Sequence, residues 1–90
     1  MLKDEDLEKI IEGLQNYTFE ISLHALSRMD ERNIAMMDIQ VLIASDAIKR
    51  PQWNEKHQSW NFTGPSFNGN LFTISCVFED DTLIVTVFWE

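Results

Sequence analysis

Three side chains spaced four residues apart, His24, Arg28 and Arg32, hold the greatest chemical potential in this chain of 90 residues. At about 100° per residue, a helix through them would gather all three within an arc of about 80°. Histidine titrates near neutrality and can pass a proton to or from a reacting group, and arginine offers a fixed two-pronged fork to phosphate oxygens. Cleavage of RNA by its own 2′-hydroxyl needs such a set: a proton acceptor, a proton donor for the leaving oxygen, and cations on the phosphate. His24 is therefore the candidate acid or base, with Arg28 and Arg32 as the phosphate clamp. His24 would also sit in the first helical turn, where the positive end of the helix dipole favours an anion. The competing reading is structural. Arg28 and Arg32 could pair with Asp30, Glu31 or acids of the first helix, and His24 could satisfy a backbone carbonyl at the core's edge.

Other candidates surround this set. His57, in the polar stretch 52–58, is either a second proton-transfer group facing His24 across a cleft or an exposed loop histidine. The adjacent Lys49 and Arg50 make a second cationic pair for substrate binding. Trp53, Trp60 and Phe67 offer faces on which unpaired bases stack, although Trp60 alternates like a core residue. No Gly-rich phosphate loop is present, and His24, His57 and Cys76 lack the spacing of metal ligands, so no cofactor or metal is expected. Cys76, the lone cysteine, lies in an apolar alternating run with no basic neighbour in sequence, which predicts a buried, unreactive thiol.

These side chains must be positioned by local structure. Leu7, Ile10, Ile11 and Leu14 follow a helical i, i+3, i+4, i+7 pattern behind the acidic Asp4, Glu5 and Asp6, predicting a helix over 4–15 whose last turn Gly13 weakens. Residues 17–21 suit either a short strand or an extended connector. Ser22 is a candidate N-cap for a helix from Leu23 to Arg32 with Leu23, Ala25, Leu26 and Met29 on its apolar face. A third helix is expected through Met37, Ile39, Val41, Leu42 and Ile43, apolar nearly all round. Beyond Ala47 the period changes to alternation, in runs around Trp60 and Phe62, Leu71 to Phe78, and Leu83 to Trp89. The fold expected is α+β, N-terminal helices packed on a C-terminal antiparallel sheet of three or four strands.

The stretch from Phe19 to Ile34, with His24-Ala25, Arg28-Met29, Glu31-Arg32 and Ile34 in order, resembles the opening of the domain of unknown function 4258 family. The resemblance continues through Asp38 to the closing run Leu83-Ile84-Val85-Thr86-Val87, covering roughly residues 19–88. Asn33 and Ala35 stand where the family commonly carries glycine and serine or threonine. Relatives of that family include RelE-like and barnase-like ribonuclease toxins. The resemblance thus implies a RelE-like fold, metal-independent RNA cleavage, and a cognate protein partner such as an antitoxin.

Composition sets the bounds. Ninety residues, 44% of them hydrophobic, suffice for one domain with one core, 1–90. A site shared with a second copy, as in a homodimer, is compatible with that size. The net charge of −8 works against indiscriminate attraction to nucleic acid or anionic membrane. Neither a signal peptide nor a membrane-spanning run is legible, which makes cytoplasmic localisation and no membrane partner the expectation. The acidic surface also supports the alternative of a non-catalytic domain that binds another protein.

Overall fold

The computed structural model describes residues 3–90. Helix α1 (Lys3–Gln15) opens with Asp4, Glu5 and Asp6 in its first turn, where acids complement the helix dipole. Ile10 and Leu14 are buried along one stripe, with Leu7 and Ile11 packed beside them. Gly13, expected to weaken the last turn, has another role. A Cβ there would come to 2.7 Å from the Thr82 Cβ, and the Thr82 hydroxyl donates to the Lys9 carbonyl at 3.0 Å. The missing side chain is what lets α1 lie against the sheet. Gly13→Ala gains about 1 kcal/mol of helix propensity but overpacks this contact. We expect a net loss near 1 kcal/mol, seen as a melting temperature lower by about 4–8 °C.

The chain leaves α1 through Tyr17 at a left-handed φ of 56°, as Thr18 N donates to the Gly13 carbonyl and Tyr17 N to that of Leu14. A two-residue strand, β1 (Glu20–Ile21), then precedes α2 (Leu23–Arg32). Ser22 caps α2 by accepting from the Ala25 N–H at 3.0 Å. The helix ends at Asn33, whose left-handed φ of 55° suits asparagine better than most residues, with Ile34 N donating to Met29 O. Ala25 and Met29 are buried, but Leu23 and Leu26 are 86% and 46% exposed. The apolar face of α2 is narrower than the sequence suggests because the helix packs chiefly against one strand, β5 (Asp81–Trp89).

Helix α3 (Met36–Ala44) buries Ile39, Leu42 and Ile43. Its first turn is fastened by Asp38, which accepts from Ala35 N at 2.8 Å and from Phe67 N at 2.9 Å. A 3₁₀ turn (Asp46–Lys49) leads to β2 (Gln52–Asn54), β3 (Ser59–Pro65), β4 (Leu71–Glu79) and β5 (Asp81–Trp89). The sheet order is β1-β5-β4-β3-β2. The sheet has five strands and is mixed, not antiparallel with three or four: β1 pairs parallel with β5, Glu20 beside Leu83 and Ile21 beside Ile84. The extra strands are short ones, of two and three residues, which leave no alternating pattern in a sequence.

Across the sheet, Trp60, Cys76 and Ile84 lie in one row and Phe62, Ile74 and Val87 in the next. All six are buried with Ile10, Leu14, Ile39 and Leu42 in a single core. Burial pushes the Cys76 thiol far above its ordinary range, leaving it no thiolate near neutrality. Between these two rows the pairing slips by one residue, so β5 carries an extra residue, Val85, opposite the step from Ser75 to Cys76. Strict alternation on β5 fails there: Ile84 and Val87, three apart, both face the core. No helix among the described residues is long and apolar enough to cross a membrane.

Candidate functional site

Residues that alternate with the core rows point to the sheet's other face. Asn61, Ser75 and Thr86 lie side by side on β3, β4 and β5, and Thr63, Thr73 and Phe88 form the neighbouring row. The small polar side chains satisfy one another. Ser75 Oγ donates to Asn61 Oδ1 at 2.7 Å and shares a 2.8 Å hydrogen bond with Ser59 Oγ, while the Thr63 and Thr73 hydroxyls lie 2.6 Å apart. Thr73 also reaches the Glu90 carboxylate. With its Oδ1 occupied by a hydroxyl donor, Asn61 keeps its amide N–H groups for a ligand.

Above this floor is an open concavity of about 630 Å³. Thr86, Val85 and Phe88 of β5, Ser75, Val77 and Glu79 of β4, and Asn61 of β3 line it. His24 closes one side from α2, beside β5, and Asn54 at the end of β2 and His57 in the turn that follows close the other. The two histidines therefore reach one cavity from opposite edges of the sheet. His57 is positioned by its own turn, in which its N–H donates to Asn54 Oδ1 at 3.2 Å and Gln58 adopts a left-handed φ of 50°. Both imidazoles are exposed enough to meet a ligand.

The other sequence candidates separate. Arg28 forms a 2.7 Å ion pair with Glu31, and neither arginine of α2 lines the concavity. Arg32 is committed to the fold: its guanidinium donates to the Val87 carbonyl at 2.6 Å, and its own carbonyl accepts from the Trp89 indole at 2.7 Å. Ser22 continues that seam, its N–H donating to Ile84 O and its hydroxyl to Val85 O. The edge of β5 beyond β1 is thus sealed by α2. Arg32→Ala leaves the Val87 carbonyl without its charged donor and should cost about 1.5–3 kcal/mol. Denaturant unfolding measures this loss, and Arg32→Lys should recover only part of it.

Lys49 and Arg50, at the end of the 3₁₀ turn, are exposed and line no part of the concavity. Trp53 packs edge-on against Trp60 at 5.2 Å on the opposite side of the sheet. Its indole N–H donates to Glu55 at 3.1 Å, and this bond, with a second from Gln58, holds the Glu55 carboxyl below its ordinary range. Trp60 is buried, as its alternation suggests, and Phe67 is exposed at the tip of the β3–β4 hairpin. Among the described residues no three His, Cys, Asp or Glu side chains converge as a metal site.

Sequence reasoning did not mark Asn61, Ser75, Thr86 or Phe88. Their signal was present as the polar half of each alternating run, but it gives no register, and register is what brings them together. Comparisons with protein-family models, curated proteins and solved structures return no match.

Proposed function

We propose that the concavity is a metal-independent ribonuclease site in which His24 and His57 form the proton-transfer pair. The observation that carries this reading is the convergence of two histidines, 33 positions apart in sequence, on one cavity with a polar floor. One imidazole takes the proton of the RNA 2′-hydroxyl as that oxygen attacks phosphorus. The other gives a proton to the departing 5′-oxygen, leaving a 2′,3′-cyclic phosphate. Phe88 offers a face to a base, and the Asn61 amide and Thr86 hydroxyl offer hydrogen bonds to its edge. The RelE-like relationship implied by the resemblance over residues 19–88 belongs to this proposal.

Arg28 and Arg32 have different parts in it. The Arg28–Glu31 pair is partly exposed, its side chains 33% and 53% accessible, and such a pair is worth about 0–1 kcal/mol. A phosphate can displace Glu31 from it. Arg32 cannot leave Val87 without opening the β5 edge, so of the two only Arg28, one helical turn from His24 and outside the cavity wall, is left to meet a phosphate at the cavity's rim.

A second reading is favoured by the charge of −8 and the absence of arginine or lysine from the cavity wall. In that reading the domain is a non-catalytic partner of another protein, the antitoxin-type partner included. Incubating the purified chain with a single-stranded RNA in EDTA separates the two. Fragments ending in cyclic phosphate support the ribonuclease; intact RNA across pH 5–8 rejects it.

A further inference from the structure

A second, smaller pocket lies between α1 and the ends of β2, β3 and β4, adjoining the concavity at His57, Val77 and Glu79, and has a different chemistry. Its volume is about 270 Å³, below the roughly 300–1,000 Å³ usual for drug-sized ligands. It can take a compact group and not a nucleotide. Trp53, Trp60 and Phe78 supply aromatic walls, and the two indoles stand at 61° to one another with centroids 5.2 Å apart, forming a corner. Asp6 and Glu79 supply carboxylates. Asp6 Oδ1 is shielded from solvent and meets no hydrogen-bond donor among the described residues, where the one ion pair is Arg28–Glu31. A shielded carboxylate oxygen without a donor is a place where a bound cation can serve as the partner.

We propose that this pocket binds a small organic ammonium ion, with its positive head in the corner of Trp53 and Trp60 and its charge facing Asp6 and Glu79. Aromatic rings attract a cation through the negative potential over their faces, and more strongly where water is excluded. The chain already uses its aromatic residues in this way: the Lys3 ammonium sits 4.9 Å from the Trp53 ring centroid, and that of Lys9 5.1 Å from that of Phe78. Neither lysine lines the pocket. The protein's charge of −8 raises the local concentration of cations. Trp60 is held in place by donation from its indole N–H to the Lys3 carbonyl at 3.1 Å, so one wall of the corner is set before a ligand arrives. The pocket shares His57, Val77 and Glu79 with the concavity, but its aromatic walls and Asp6 take no part in the RNA-cleaving proposal.

The test is titration of the full chain with choline, and with the neutral isostere in which carbon replaces the quaternary nitrogen, followed by the three indole N–H signals in NMR. Choline should shift the Trp53 and Trp60 signals and leave Trp89 unmoved, because Trp89 is bound to Arg32 at the far end of β5. The isostere, matched in shape but uncharged, should bind at least about 10-fold more weakly. Asp6→Asn keeps the size of the side chain and removes its charge, and Trp53→Leu removes one wall. Each should weaken choline binding about 10-fold, with thermal melts confirming that the variants are folded. Equal binding of choline and its isostere would overturn the proposal, as would unchanged affinity in both folded variants or no shift of Trp53 and Trp60 at tens of millimolar choline. RNA cleavage without choline binding would overturn this proposal alone; choline binding without cleavage would overturn only the ribonuclease.

Discussion

His24→Ala and His57→Ala are each expected to lower RNA cleavage by about 10²–10⁴-fold, the range for losing one positioned acid or base. The two losses should not multiply. Once one proton transfer is missing the other has little left to assist, so the double variant should fall close to the worse single variant. Wild-type rate should be bell-shaped in pH, because one imidazole must start neutral and the other protonated. Each single variant should lose one limb of that curve. Neither substitution should disturb folding, since both side chains are exposed and, among the described residues, neither makes a hydrogen bond through its ring. Single-turnover cleavage with melting curves on the same samples checks this. Cleavage at full rate in His57→Ala would remove it from the chemistry and leave His24 without its partner.

The largest effect on stability is expected from Phe62→Ala. Phe62 has no exposed surface and sits on β3 between the helices and the paired Ile74 of β4. Truncating it forfeits the transfer energy of the ring and leaves a cavity that neighbouring strands cannot collapse to fill, a loss of about 3–5 kcal/mol. Domains of this size have total stabilities of about 5–15 kcal/mol, so the variant should be close to unfolding at 25 °C. Urea denaturation gives the number. Substitution of Phe67, equally aromatic but exposed on a hairpin tip, should change stability by less than about 0.5 kcal/mol.

What was legible in the sequence was what repeats. The period of α1 and the alternation of β3 and β4 carried their faces with them, α3 was legible as a helix but not by face, and Ser22 marked the start of α2 because a hydroxyl there has one favourable local use. Strand β1 was not decidable: two residues carry no period, and Glu20–Ile21 becomes a strand only because β5 lies alongside. Val85 was invisible for a related reason, since a bulge is defined by the partner strand and β5 read alone alternates without fault. The site divided in the same way. His24 was found through its helical neighbours, and His57 was suggested as a partner across a cleft, but the polar floor between them depends on the register of three strands. Arg32 shared a helical edge with His24, as spacing requires, yet spacing cannot tell which carbonyls lie within reach of a guanidinium.

The seam along β5 limits how this protein can assemble. A sheet with two available edges can add copies at both ends and so grow without limit, whereas a sheet with one can add a single copy and stop. Here the β5 side is occupied by β1, Ser22 and Arg32, and β1 itself is only two residues long. At the other end of the sheet β2 covers β3 only from Ser59 to Asn61 and is itself three residues long. Strand addition beside β5 is therefore obstructed, and Arg32, which the sequence offered as a phosphate ligand, covers a carbonyl that an added strand would need.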